Sequence, residues 1–125
     1  MKNKLYITLE TISTVCWLLM DFCWMSKYVR LASFFSIFAI TFSCLSIILY
    51  KGNSTSELII LVTSLMWIMM NSFWMSGDEL NQDWLISIAK IIFVVSLILV
   101  LIAVIVSKKE NKSINFNRLK IKEKQ

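Results

Sequence analysis

The chain has 125 residues, 58% of them hydrophobic, with a mean hydropathy of +0.71, two glycines and no proline. Soluble domains carry about 45–50% apolar residues and many more turn formers, so this composition excludes a soluble globular domain. The formal charge of +5 lies entirely after Ser107, where seven cations face two anions; the residues before it hold six of each sign.

A membrane-crossing helix needs roughly 20 mostly apolar residues. The first candidate span covers residues 5–26. Lys2 and Lys4 precede it as in a signal peptide, but Glu10 and Asp21 interrupt its apolar run and no small-residue cleavage site follows, so it is read as retained. Glu10, Ser13 or Thr14, Trp17, Asp21 and Trp24 follow one another in steps of three and four and therefore share one helix face. The second span, 31–50, has no charge and carries the small pairs Ala32/Ser36 and Ala39/Ser43, whose spacing lets helices approach closely. The third, 58–76, repeats part of the first stripe as Ser64, Trp67, Asn71 and Trp74. The fourth, 84–107, holds Lys90 and then a nearly uniform aliphatic run from Ile91 to Val106, which is expected to face lipid. Short linkers (27–30, 51–57 and 77–83) make each helix antiparallel to its sequence neighbour.

Spans one and three contain the same frame, W-x-x-M-[D/N]-x-x-W-M-S. It runs from Trp17 to Ser26 and again from Trp67 to Ser76, fifty residues apart. The expected fold is an all-α integral membrane bundle of four transmembrane helices. It would be built by tandem duplication of a helical hairpin, with repeat units at about 5–50 and 55–107. Two crossings per unit point both copies the same way, so the units should be related by a pseudo-two-fold axis along the membrane normal. Residues 1–107 form the membrane domain in this reading, and 108–125 a basic cytoplasmic tail.

Orientation follows the lysine and arginine bias of the loops. The side with both termini and the middle loop has ten cations (Lys2, Lys4, Lys51 and the seven of the tail), against Lys27 and Arg30 opposite. Both termini are therefore expected in the cytoplasm, with the protein a multi-pass component of the cell membrane. Lys108, Lys109 and Lys112 are the expected contacts to anionic lipid headgroups. Nucleic acid is not an expected partner, because the tail has a single arginine, Arg118, and no binding module. On the outer side Lys27 and Arg30 oppose Asp78, Glu79 and Asp83, a complementarity that favours packing of one hairpin on the other.

Depth groups three polar residues from three helices. Asp21 and Asn71 lie about five residues from the outer ends of their spans and Lys90 about six, or ~7–9 Å down at 1.5 Å per residue. Intramembrane ionisable groups usually face the bundle interior and find one another, so Asp21, Asn71 and Lys90 form a candidate polar layer in which Asp21 pairs with Lys90. Snorkelling to the headgroups is the competing fate, open to Lys90, Glu10 and Glu57 as well. Glu57 also stands at a helix start, where the macrodipole favours an anion. Trp24, Trp74 and Trp84 fit an aromatic belt at the outer boundary. Trp17 and Trp67 lie deeper and would pack on the polar stripe, where each indole N–H can find an acceptor. Together Trp17, Trp24, Trp67 and Trp74 form a candidate aromatic lining; with Asp21 among them they could cage an organic cation, though core packing is the commoner use.

Cys16, Cys23 and Cys44 are odd in number and sit at membrane depth, so they read as small packing residues rather than a disulfide framework. With no histidine in the chain, no metal site is expected, and no motif points to a cofactor. No nucleophile–base set points to an enzyme. The first functional reading is a non-catalytic subunit or regulator of a membrane complex, acting with a partner membrane protein or as a homo-oligomer. The alternative is a small transporter or pore that uses Asp21 and Glu10 as a proton or cation site. In length and plan alone the chain resembles the small multidrug resistance transporters, which use a carboxylate of the first helix, and Glu10 is the position to carry over. Its spans lack glycine and proline, and its basic tail departs from the balanced charge of that plan.

Overall fold

A computed structural model describes residues 2–122, with side chains described for 5–114. The side chains of Lys2, Lys4, Arg118, Lys120 and Lys122, and the whole of Lys124, lie outside the described residues. The chain forms four helices in sequence: α1 (Lys2–Met25), α2 (Val29–Ile48), α3 (Thr55–Leu80) and α4 (Asp83–Lys122). Among the described residues all four are long and apolar enough to cross a membrane. In a hydrocarbon solvent the helix satisfies every backbone group within its own segment, which is why such sequences take this form.

Both hairpins turn in the same way. At the end of α1, Tyr28 N–H donates to Cys23 O at 2.8 Å and Lys27 N–H to Trp24 O at 2.9 Å. At the end of α3, Gln82 N–H donates to Gly77 O at 2.9 Å and Asn81 N–H to Asp78 O at 3.5 Å. Each is the paired-bond Schellman closure, and in each a residue just past the helix is left-handed, Lys27 two positions after Met25 at φ 63° and Asn81 directly after Leu80 at φ 50°. The sequence frame repeats at an interval of fifty, whereas these turns repeat at fifty-four. One extra turn of α3, Gly77 to Leu80, makes the difference. Asp78 and Glu79, expected in a linker, are therefore helical, and Asn71 lies nine residues from the end of its helix rather than five. Gly77 permits this: a Cβ there would stand 2.7 Å from Ile86 Cγ1 and 3.1 Å from Leu85 Cβ, so α4 returns directly against it.

α1 packs against α2 and α3 against α4, and the hairpins join through α2 and α3. The face that α2 buries is made only of small residues: Ala32, Ser36, Ala39, Ser43 and Ser46. Close approach follows from it, with Ser13 Oγ donating to Ala39 O at 2.8 Å and Ser36 Oγ 2.6 Å from Ser72 Oγ. Met20, Cys23, Ala32 and Met75 form a buried cluster beneath Trp17, Trp24 and Phe35. α4 shows lipid-facing exposure along its length, including Ile91, Leu101 and Ile105. It also continues unbroken past Ser107 through the basic segment. At 40 residues it extends for ~60 Å, about twice the ~30 Å of a hydrocarbon core.

A candidate intramembrane groove between α1 and α4

Among the described residues, α1 and α4 do not pack on each other. Between them lies a groove floored by α3. Its inner half, meaning the half on the side of the two chain termini, is about 590 Å³ and is lined by Thr14 and Trp17 of α1, Ser64 and Trp67 of α3, and Val104 and Lys108 of α4. Its outer half, also of about 590 Å³, is lined by Trp24 of α1, Trp67, Asn71 and Trp74 of α3, and Lys90 and Phe93 of α4. Trp67 belongs to both halves and packs on Phe93, with ring centroids 5.8 Å apart. The repeated stripe is thus brought to one place: all four tryptophans of the sequence frame line this groove.

The polar layer is assembled only in part. Asn71 and Lys90 face the same outer half of the groove. Asp21, half-buried, lies on the α1 face between the groove-lining Trp17 and Trp24. The expected Asp21–Lys90 ion pair is not formed: no lysine or arginine lies within 4.0 Å of a carboxylate among the described residues. The physical reason is the open architecture, which sets α1 and α4 on opposite walls. At the hairpin turns, Lys27, Arg30 and Glu79 surround one hollow without pairing among the described residues.

Trp17 corrects a second expectation. Its Nε1 is buried and has no acceptor, and the hydroxyls of Thr14 and Ser64 that line the same half of the groove bond to Glu10 instead. Trp84 behaves as a boundary residue, exposed and donating from Nε1 to Gln82 Oε1 at 2.9 Å.

Glu10 is held inside the bundle. Ser46 Oγ of α2 donates to its Oε2 at 2.9 Å, and Ser64 Oγ of α3 donates to its Oε1 at 2.5 Å. One carboxylate therefore ties three helices, and Ser46 beneath it is fully buried. Nearer the terminal side, Glu57 Oε2 accepts from Tyr50 Oη at 3.1 Å and Tyr6 Oη at 3.4 Å, while the two tyrosine rings meet edge to face.

Beyond the apolar run, Glu110 of α4 closes the start of α3. Its Oε1 accepts from the N–H groups of Thr55 at 2.7 Å and Ser56 at 3.4 Å. Its Oε2 accepts from Ser56 Oγ at 2.7 Å and Ser54 Oγ at 2.9 Å. Donation from Ser56 and then Ser54 holds its carboxyl below the usual carboxylate range. Ser54 itself accepts from Glu57 N–H at 3.3 Å, so the first three free N–H groups of α3 are all satisfied. The Ser54-x-x-Glu57 spacing is a capping signature readable in the sequence; the arrival of Glu110 is not. Lys108, Lys109 and Lys112 are exposed, and Lys108 stands at the inner end of the groove.

Compared with protein-family models, with curated proteins and with solved structures, the chain matches none.

Proposed function

We propose that this small multi-pass membrane protein is a non-catalytic subunit or regulator that acts by receiving another transmembrane helix in the groove between α1 and α4. One observation carries the reading: the bundle is open on one side, and that side concentrates the repeated indoles with Asn71 and Lys90. A lipid-facing wall needs only aliphatic side chains, such as those of α4 that point away from the groove. Placing polar and aromatic groups along a concave seam instead suits a protein partner, since intramembrane helices associate by close packing and by hydrogen bonds between polar side chains. Residence in the cell membrane, cytoplasmic termini and headgroup contacts by Lys108, Lys109 and Lys112 complete the proposal.

A tandem origin of the two hairpins belongs to the same reading. It is supported by the shared ten-residue frame and by the identical closure of the two turns, displaced by one turn of α3.

The test is a photo-reactive residue at Val104 in native membranes, with one at the lipid-facing Ile37 of α2 as control. A protein adduct from Val104 and lipid adducts from Ile37 are expected. Lipid adducts alone from both positions overturn the reading. The alternative, a transporter or pore using Asp21 and Glu10, draws on Glu10 at the junction of three helices. Proton or cation flux in proteoliposomes that is abolished by Asp21→Asn or Glu10→Gln would favour it instead.

A further inference from the structure

Lys90 lines one wall of the groove, Asp21 stands on α1 between Trp17 and Trp24, which line the other, and neither forms an ion pair within its own copy among the described residues. Asp21 shares the α1 stripe with Trp17 and Trp24, four residues before the helix ends at Met25, or ~6 Å down. Lys90 lines the facing wall on α4, seven residues after Asp83, or ~10 Å down. The remaining difference in depth is within the reach of a lysine side chain, which spans roughly 6 Å. Lysine can also lift its ammonium to the headgroups. Aspartate cannot, because its carboxylate stands on a single methylene more than a turn below the helix end. A lone Asp21 in hydrocarbon is costly, so its charge calls for a cation delivered at that depth.

From these placements we infer that the groove is closed by a second copy of this chain, held by two reciprocal ion pairs, Asp21 of each copy with Lys90 of the other. The inference rests on the reading of the groove as a helix-docking seam. Symmetry makes the arrangement specific. Both copies insert in the same sense, so their dyad runs along the membrane normal, and such a dyad keeps every residue at its own depth. Facing the groove, α1 forms one wall and α4 the other. A half-turn about an axis in front of it exchanges left and right, so the partner's α1 stands opposite α4 and the partner's α4 opposite α1. Each Asp21 then meets the partner's Lys90, the isologous pattern in which residue i meets j and j meets i. The two grooves face one another across the axis, and the repeated tryptophans close around the joint. Any other single occupant would have to bring a cation for Asp21 at that level, since Lys90 can reach the headgroups by itself. A second copy brings that cation without further assumption.

The experiment uses full-length chains carrying two different tags, co-expressed, extracted in mild detergent and recovered through one tag. Asp21→Lys alone and Lys90→Asp alone each place like charges at both contacts, and recovery of the second tag is expected to fall by about tenfold or more. Co-expression of the two single variants with each other restores both pairs in the mixed dimer, and recovery is expected to return. The double variant Asp21→Lys/Lys90→Asp in one chain should recover as well. If the double variant recovers and the mixture does not, the pair forms within one copy as α1 closes on α4, and the proposal falls. Because a charge-reversed chain can fail to fold, a second measurement keeps the otherwise unaltered sequence and places a photo-reactive residue at Val94, one turn from Lys90. An adduct of twice the chain mass, mapped to the Trp17–Trp24 segment, is expected. An adduct to a different membrane protein overturns the self-association and leaves the docking seam standing. Lipid adducts alone overturn both.

Discussion

Glu110 accepts a hydrogen bond at 2.7 Å from the backbone N–H of Thr55, a residue 55 positions earlier in the chain. With the bonds that Glu110 accepts from Ser54 and Ser56, that contact fastens the extended end of α4 to the start of α3. It places an anion at the positive end of a helix, where free N–H groups and the macrodipole both favour it. The bilayer supports the apolar part of α4, whereas its continuation past Ser107 has this contact to fix its direction.

Replacing Glu110 with glutamine should lower thermal stability in detergent at neutral pH, and alanine should lower it further. Because hydrogen bonding depresses the folded carboxyl, its contribution is fully present above the unfolded carboxylate's ordinary value of 4.5 and is lost as pH falls through the lower folded value. The stability gap between the natural chain and the glutamine variant should therefore be constant near neutrality and close below that range. A gap that widens as the pH falls would refute the assignment.

Glu10→Ala should cost about 1–2 kcal/mol, because the hydrogen bonds from Ser46 and Ser64 to the carboxylate are lost, while Ser46 keeps its bond to Ser43 O at 2.8 Å. Glu10→Gln keeps an acceptor and should lose less. Unfolding measured by denaturant titration in mixed micelles decides between them. Equal and negligible losses would mean the carboxylate points out of the bundle.

The turns offer opposite outcomes from two substitutions. Lys27→Gly relieves a left-handed backbone and should stabilise the first hairpin by roughly 1 kcal/mol. Gly77→Ala forces a methyl group against Ile86 and Leu85 and should destabilise the second by about 1–3 kcal/mol. Melting temperatures of both variants in one detergent check the pair, and a tolerated Gly77→Ala would show that α4 can retreat.

A reporter fused after Gln125 should be active in the cytoplasm, given ten of twelve loop and terminal cations on that side. Activity only outside the cytoplasm would reverse the orientation and move the Glu110 contact to the outer surface.

The apolar runs by themselves determined four membrane-length helices, because hydrocarbon leaves the backbone no alternative to internal hydrogen bonding. The step-of-four pattern in α2 also announced its contact face: the small residues Ala32, Ser36, Ala39 and Ser43 are the ones buried. The stripe from Trp17 to Trp24 was likewise legible as one face, and that face is where α1 borders the groove. Periodicity states which residues share a side of a helix, and it is silent on how far apart two helices stand. Hence Asp21 and Lys90 matched in depth and were opposite in charge along the sequence, while the tertiary arrangement put them on helices that do not pack on each other among the described residues. Spacing could not register the extra turn of α3 either, since a polar residue past the membrane surface is as much at home in a helix as in a loop. Nor could it register Glu110, whose role comes from where α4 brings it. Lateral packing decided those points, because the contacts that fix helix neighbours lie between segments distant in the chain.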